Sequence, residues 1–309
     1  MRGYCDLQVN GYAGVDFNDA NVTAAGIDQA LAAMRADGVT TCLPTLITAP
    51  AKILHARLRA LDHAVASSTL GPTMVPGFHL EGPFLNPAPG FAGCHPAAAM
   101  RDPDPALLAG WMAGLQRPVL MLTLAPEKPG GMNLIRWAVA HGIVAAIGHA
   151  DAGETVVTAA VAAGATMSTH LGNGLPRLLP KFDSPLMAQL GADGLSAGFI
   201  ADGLHVPIPA LRAMIRAKGA SAILVTDAVA AAGCPPGQYR FADMTIERLA
   251  DGTVRSGGVL AGSSLTMAQA VRNTIAWGIT DAAGAEFMAT DAPRRVLTEA
   301  LSRRDLKPF

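Results

Sequence analysis

Charge is scarce in this chain. Only 15% of its 309 residues are Asp, Glu, Lys or Arg, they cancel to a net charge of −1, and 50% of the residues are hydrophobic. Without a basic excess there is no electrostatic footprint for nucleic acid or for an acidic membrane surface, so neither is an expected partner. Cysteine is sparse as well: Cys5, Cys42, Cys94 and Cys234 stand far apart with no paired metal-ligand spacing, and read as reduced thiols packed as small hydrophobes. No signal peptide and no long uninterrupted apolar span can be read, so the expected location is cytoplasmic. What is plentiful is apolar sequence able to build parallel strands buried on both faces, which suits one large α/β domain.

The stretch 143–173 shows the plan. An apolar run ends in Gly148-His149, a helical Ala/Val-rich segment at 154–163 is closed by Gly164, and a second short run ends in Thr169-His170. This is a βαβ unit. Its two strands point the same way, so both imidazoles emerge at one sheet edge, about 5 to 10 Å apart for neighbouring strands. Either histidine alone reads more readily as a core residue satisfied by a carbonyl; for the two together that reading and a shared metal ion stand level.

The same unit recurs along the chain. Strands are expected at 4–9, 39–43 (stopped by Pro44), 74–80, 119–124, 143–147, just before His170, 195–200 and 222–225, with helices between them at 22–37, 52–67, 104–115, 133–141, 154–163, 185–190 and 207–218. Eight strand-helix units in about 230 residues, joined by right-handed crossovers, predict a (β/α)8 barrel over 1–236. The remainder, 237–309, is expected to form a hairpin around an Asp251-Gly252 turn and closing helices at 263–277 and 281–301, all packed on the barrel.

Barrel enzymes keep their chemistry at the C-terminal ends of the strands. There the chain places Gln8 and Asn10 on the first strand, Glu81 on the third, His149 on the fifth, His170 on the sixth and Asp227 on the eighth. Two carboxylates and two imidazoles meeting in so apolar a protein would each suffer desolvation unless they shared a cation. A glutamate and two histidines suit zinc, with a position left for water, and iron(II) suits the same set. Lysine is scarce too: of Lys52, Lys128, Lys181, Lys218 and Lys307 only Lys128 lies near a strand end, which makes a Schiff-base enzyme a poor reading.

The segments Asp6-Leu7-Gln8-Val9-Asn10-Gly11, His79-Leu80-Glu81-Gly82-Pro83-Phe84, Leu124-Ala125-Pro126-Glu127, Ile147-Gly148-His149, Thr169-His170-Leu171, Ala201-Asp202-Gly203-Leu204-His205 and Thr226-Asp227-Ala228 together resemble the N-acetylglucosamine-6-phosphate deacetylases of the amidohydrolase superfamily. The likeness runs from the first strand to about residue 270. It implies Glu81, His149 and His170 as ligands of a single divalent ion and Asp227 as the catalytic carboxylate, because Gln8 and Asn10 stand where other superfamily members carry a His-x-His pair for a second metal. By the same resemblance His95 polarises the acetyl carbonyl, His205 hydrogen-bonds the sugar, backbone N–H groups at Asn173 and Gly174 receive the phosphate, and the enzyme is a homodimer.

The sequence departs from that family in two places. Relatives carry a small β domain from residues on both sides of the barrel, whereas Met1 lies just before the first strand here, so most of that domain is expected to be missing. The family's phosphate-binding arginine aligns with Lys181, a point charge without the bidentate fork, and Arg177 is the residue placed to compensate. The expected reaction is therefore deacetylation of N-acetylglucosamine 6-phosphate. The alternatives are a deacylase of a non-phosphorylated N-acyl sugar or other N-acyl amine, and a metal-binding barrel that binds without catalysing. Glu127 and His141 have no role legible from sequence.

Overall fold

The computed structural model describes residues 3–302. Strands β1 (Tyr4–Val9), β2 (Val39–Ile47), β3 (Phe78–Glu81), β4 (Val119–Leu124), β5 (Val144–Ile147), β6 (Met167–Ser168), β7 (Ser196–Ile200) and β8 (Ala222–Val225) lie parallel and side by side in that order. Helices α1 (Ala24–Ala36), α2 (Ala51–Ser67), α3 (Pro105–Met112), α4 (Gly131–Ala140), α5 (Glu154–Ala163), α6 (Pro185–Gly191), α7 (Ile208–Lys218) and α8 (Met267–Ala276) follow the strands one by one. The expected (β/α)8 barrel is the observed one.

Local chemistry accounts for many element ends. Asp104 caps α3 by accepting from the N–H groups of Ala106 and Leu107, with Pro105 opening the helix, and Ser184 and Pro185 do the same for α6. Gly164 ends α5 in a left-handed conformation. The strands are buried on both faces; every residue of β4 is buried, as a barrel stave covered by helices requires.

The first and last staves are joined just past their paired edges. Asp227 N–H donates to Gln8 O at 2.9 Å and Asn10 N–H to Ala228 O at 2.6 Å. Below them Asp6 is fully buried and accepts from Thr226 N–H (3.2 Å) and Thr226 Oγ1 (2.5 Å). Burial pushes the Asp6 carboxyl up to about 7, against the hydrogen bonds from Thr226 and Gln8, which lower it.

Several expectations change in detail. Strand β2 does not stop at Pro44 but runs to Ile47. Opposite Pro44 the register passes from Asp6↔Cys42 to Val9↔Pro44, three steps along β1 for two along β2, and Val9 N–H goes to the Thr45 hydroxyl at 3.1 Å. This irregularity removes the ladder bond a proline nitrogen could not make. The third strand is shorter than expected and is preceded by a helical turn, Gly71–Met74. The expected hairpin is a four-stranded antiparallel sheet of β9 (Gly237–Phe241), β10 (Met244–Arg248), β11 (Val254–Ser256) and β12 (Val259–Leu260), so more β structure accompanies the barrel than the sequence suggested. Helix α8 starts at Met267 because Ser263 is occupied as a β-bridge partner of Ala228, and the last helical stretch is split into α9 (Ala282–Ala289) and α10 (Asp291–Ser302). Among the described residues no helix is long and apolar enough to cross a membrane.

Candidate active site

Glu81, His149, His170 and Asp227 meet at the C-terminal mouth of the barrel, each within a residue or two of its strand's end, in a cleft of about 940 Å³. His149, His170 and Asp227 have φ values of 52°, 27° and 49°, three of the five non-glycine residues in the left-handed region among the described residues. A single left-handed residue after a strand turns the chain sharply, and the strain of about 1–3 kcal/mol is tolerated where the surroundings over-determine it. The surroundings do so here. Asp227 N–H is held by Gln8 O, and Asp227 O accepts from Ser263 N–H at 2.9 Å, so the aspartate turn is clasped from both sides. His149 O accepts from Asn86 N–H at 3.0 Å, and the His149 ring donates through Nδ1 to Phe91 O at 2.6 Å.

That last bond leaves the His149 Nε2 lone pair facing inward. It lies 3.2 Å from Glu81 Oε1 and 3.2 Å from His170 Nε2, which is itself 2.9 Å from Glu81 Oε1. Three Lewis bases this close repel unless a positive charge sits among them. Burial opposes charge on His170, yet the Glu81 carboxylate overrides it and lifts the imidazole to about 9; burial likewise opposes the charged form of Glu81, whose carboxyl the two imidazoles hold well below the usual range. A tetrahedral ion with bonds near 2.0 Å separates its ligands by roughly 3.3 Å, so the donor set and its spacing fit a divalent metal such as zinc. The donor atoms of Glu81, His95 and His149 also fall within 4.8 Å of one another, but His95 stands farther out, 4.0 Å from Glu81 Oε1.

His95 is set by Thr48. The Thr48 backbone N–H, which can only donate, reaches His95 Nδ1 at 3.4 Å and the Thr48 hydroxyl lies at 3.0 Å, so Nδ1 offers its lone pair and the ring proton is on Nε2. Burial, followed by the repulsion of His149, pushes His95 down to about 3 and keeps it neutral. Its Nε2–H is thus a hydrogen-bond donor in the mouth of the cleft.

Gln8 and Asn10 are both buried, and Gln8 bridges the two carboxylates. Gln8 Nε2 donates to Glu81 Oε2 and to Asp227 Oδ1, each at 3.2 Å, and Asn10 Nδ2 donates to Asp227 Oδ1 at 2.7 Å. Burial first, then the charge of Glu81, raises Asp227 to about 6. With Oδ1 occupied by two amides, Oδ2 is the oxygen left to handle a proton. Asn10 Oδ1 is a buried acceptor with no partner among the described residues, on a residue that lines the cleft.

Beneath these groups runs a polar belt that sequence reading missed. His79 Nε2 meets Thr123 Oγ1 at 2.7 Å, Thr123 Oγ1 meets Thr169 Oγ1 at 2.6 Å, and His79 Nδ1 lies 3.3 Å from Thr45 Oγ1. It ties β2, β3 and β4 to Thr169 next to His170. Glu127, without a role in the sequence, accepts from Asn86 Nδ2 (2.9 Å) and Asp151 N–H (2.7 Å), linking the loops that flank Glu81 and His149. A tripeptide such as Ala-Pro-Glu carries no periodicity that could have announced this.

The outer cleft is cationic. Arg177 and Lys181 line it from the loop after β6, and Arg255 lines it from β11, in the expected hairpin segment but not singled out there. His205 lines it too, its Nδ1 held 2.6 Å from Asp202 Oδ2. The Asn173 backbone N–H is engaged by His170 O at 3.0 Å, as is its side-chain Nδ2, because the loop folds back to cap the histidine turn; of the implied pair only the Gly174 N–H remains for a ligand.

Gly174 has a second constraint. Its φ is +62°, and a Cβ there would lie 2.6 Å from His149 Nδ1. Gly174→Ala is expected to displace the His149 ring and lower kcat/KM on the order of 10²-fold, the scale of a misplaced reacting group, with little change in the unfolding midpoint. Full activity in that variant would show that the loop yields instead.

The barrel and the groups at its mouth define the class, a metal-dependent amidohydrolase. No protein-family model matches the chain. Over 297 residues it is 32% identical to the N-acetylglucosamine-6-phosphate deacetylase of Vibrio furnissii, covering 96% of this chain and 73% of that protein. It is 36% identical over 276 residues to the N-acetylgalactosamine-6-phosphate deacetylase of Shewanella sp. (strain ANA-3), covering 88% and 67%. Among solved structures, a variant of the Mycobacterium smegmatis N-acetyl-D-glucosamine-6-phosphate deacetylase in complex with N-acetyl-D-glucosamine-6-phosphate superposes with a TM-score of 0.87 at 32% identity, over 96% of this chain and 77% of that one. The chain belongs to the N-acetylglucosamine-6-phosphate deacetylase family.

Proposed function

We propose that the protein hydrolyses the N-acetyl group of N-acetylglucosamine 6-phosphate to acetate and glucosamine 6-phosphate. The observation that carries this reading is Asp227 Oδ2, left free for a proton in a cleft where Glu81, His149 and His170 are spaced to hold one divalent ion. Zinc is the ion proposed, with iron(II) the alternative for the same donors. When bound, such an ion supplies Lewis acidity to the attacking water and to the acetyl carbonyl.

The chain's own groups do the rest. Asp227 Oδ2 takes the proton of the attacking water and returns it to the departing amine. His95 Nε2–H donates to the acetyl oxygen as negative charge develops there. Asn10, anchored through Nδ2 on Asp227, presents its unpartnered Oδ1 to an N–H of the departing nitrogen. His205 hydrogen-bonds the sugar, while Lys181, Arg177 and the Gly174 N–H meet the phosphate. A homodimer belongs to the same reading.

The test compares substrates. A charge-assisted contact of about 1.5–3 kcal/mol makes the phosphorylated sugar better than N-acetylglucosamine by roughly 10-fold to 150-fold in kcat/KM. Lys181→Ala, and separately Arg177→Ala, is expected to weaken the phosphorylated sugar and leave the free sugar nearly unchanged. Equal wild-type activity on both sugars would refute the phosphate assignment and favour a non-phosphorylated N-acyl substrate. N-acetylgalactosamine 6-phosphate belongs in the same assay, since relatives named for that substrate are 36% and 33% identical to the chain.

A further inference from the structure

We propose that Asp202 is a positioning residue for the reaction, one that fixes the protonation pattern of His205 and so decides which ring nitrogen meets the sugar. The inference rests on the functional reading above, in which His205 touches substrate.

The pair is built. Asp202 Oδ2 lies 2.6 Å from His205 Nδ1, and Asp202 Oδ1 accepts from the backbone N–H groups of Leu204 (2.8 Å) and His205 (2.9 Å). Both side chains are nearly buried, at 8% and 7% exposure, so the geometry is not one of many solvated rotamers. Burial opposes a charge on Asp202, but His205 and the two N–H groups hold its carboxyl below the usual range. A carboxylate only accepts, so His205 carries its proton on Nδ1 and leaves Nε2 as the ring nitrogen for the cleft it lines.

The loop that carries the pair is itself pinned. Asn273 Nδ2 of α8 donates to Ala201 O at 2.7 Å. Gly203, at φ +72°, is packed so that a Cβ would lie 3.2 Å from the Trp277 ring. Asp202 therefore sits on a backbone with little freedom to swing away, and its carboxylate is the one acceptor at hydrogen-bond distance from Nδ1 among the described residues. An orienting carboxylate behind a histidine holds ring direction and tautomer together, as it does in hydrolases and metal sites generally.

Asp202→Asn makes this measurable. The asparagine oxygen can still accept from Leu204 and His205 N–H and keep the loop, but its NH2 then faces His205 Nδ1 and drives the ring proton to Nε2. Imidazole 15N spectra, with His205 assigned from a His205→Gln variant, are expected to show a protonated Nδ1 in the wild type and an unprotonated one in Asp202→Asn. KM for the phosphorylated N-acetylhexosamine should rise about 10-fold, the scale of one hydrogen bond to substrate misplaced, with kcat changing far less. Because Asp202 acts through His205, Asp202→Asn combined with His205→Gln should be no worse than His205→Gln alone to within about twofold. Additive losses in the double variant, or a fall in kcat and thermal stability with the Nδ1 proton still in place, would assign Asp202 to the fold alone and overturn the proposal. A wild type that turns over no phosphorylated N-acetylhexosamine would bring down the functional reading and this one with it, and a protonated Nδ1 in the spectra would show that the fault lay in the substrate and not in the pair.

Discussion

Asp227→Asn is expected to lower kcat by on the order of 10²-fold or more while metal content and fold stay as in the wild type. The substitution is nearly isosteric. An asparagine oxygen at the Oδ1 position can accept the same hydrogen bonds from Gln8 Nε2 and Asn10 Nδ2 that the carboxylate accepts now. Its NH2 then occupies the place of Oδ2 and has no basic lone pair. The clasp of the backbone by Gln8 and Ser263 does not involve the side chain, so the turn survives. Turnover at saturating substrate together with elemental analysis checks the claim. Near-normal turnover would mean that another group takes the proton of the water.

Glu81→Gln is expected to remove both metal and activity. The wild type should hold about one divalent ion per chain, and the variant should bind it more than 10²-fold more weakly, beyond what loss of a supporting hydrogen bond costs. Oε1 of Glu81 is the atom common to both close histidine contacts, and Oε2 receives the Gln8 amide. A glutamine must turn its NH2 either toward the imidazole nitrogens or toward the Gln8 NH2, and each choice sets donor against donor or fills the place a cation needs. Two ions per chain in the wild type would refute the single site that Gln8 and Asn10 imply, and an unchanged metal content in Glu81→Gln would move the site elsewhere, with His95 the first candidate to take its place.

The barrel was legible because its strands carry the strongest one-dimensional signal a chain can have. Val119–Leu124 and Ala222–Val225 are short runs, apolar but for Thr123 and buried on both faces, and sequence reading places their ends, and those of Tyr4–Val9, as the structure does. Pro44 misled because a proline ends a strand unless the neighbour is irregular opposite it, a property of β1 and not of the residues around Pro44. The mouth residues Glu81, His149, His170 and Asp227 were legible for the same reason as the strands, each following an apolar run. His95 and His205 sit on loops without periodicity and could be pointed to only through resemblance. Asp6, His79 and Glu127 matter through partners 41 to 220 residues away, and nothing local in the chain marks such pairings. The Asn173 N–H shows the converse: a backbone donor implied by resemblance is already engaged by the loop's own turn.

The seam between β1 and β8 divides the site by its order of manufacture. Glu81, His149 and His170 all lie within the first 170 residues, on or just after staves β3, β5 and β6, and meet one another across 68 and 89 residues of chain. Asp227 is held by Gln8 and Asn10, residues 219 and 217 positions away. Contacts of such separation carry the full loop-closure entropy and form late. Closure of the first stave on the eighth is therefore the step that brings Asp227 to the groups gathered on the staves between them.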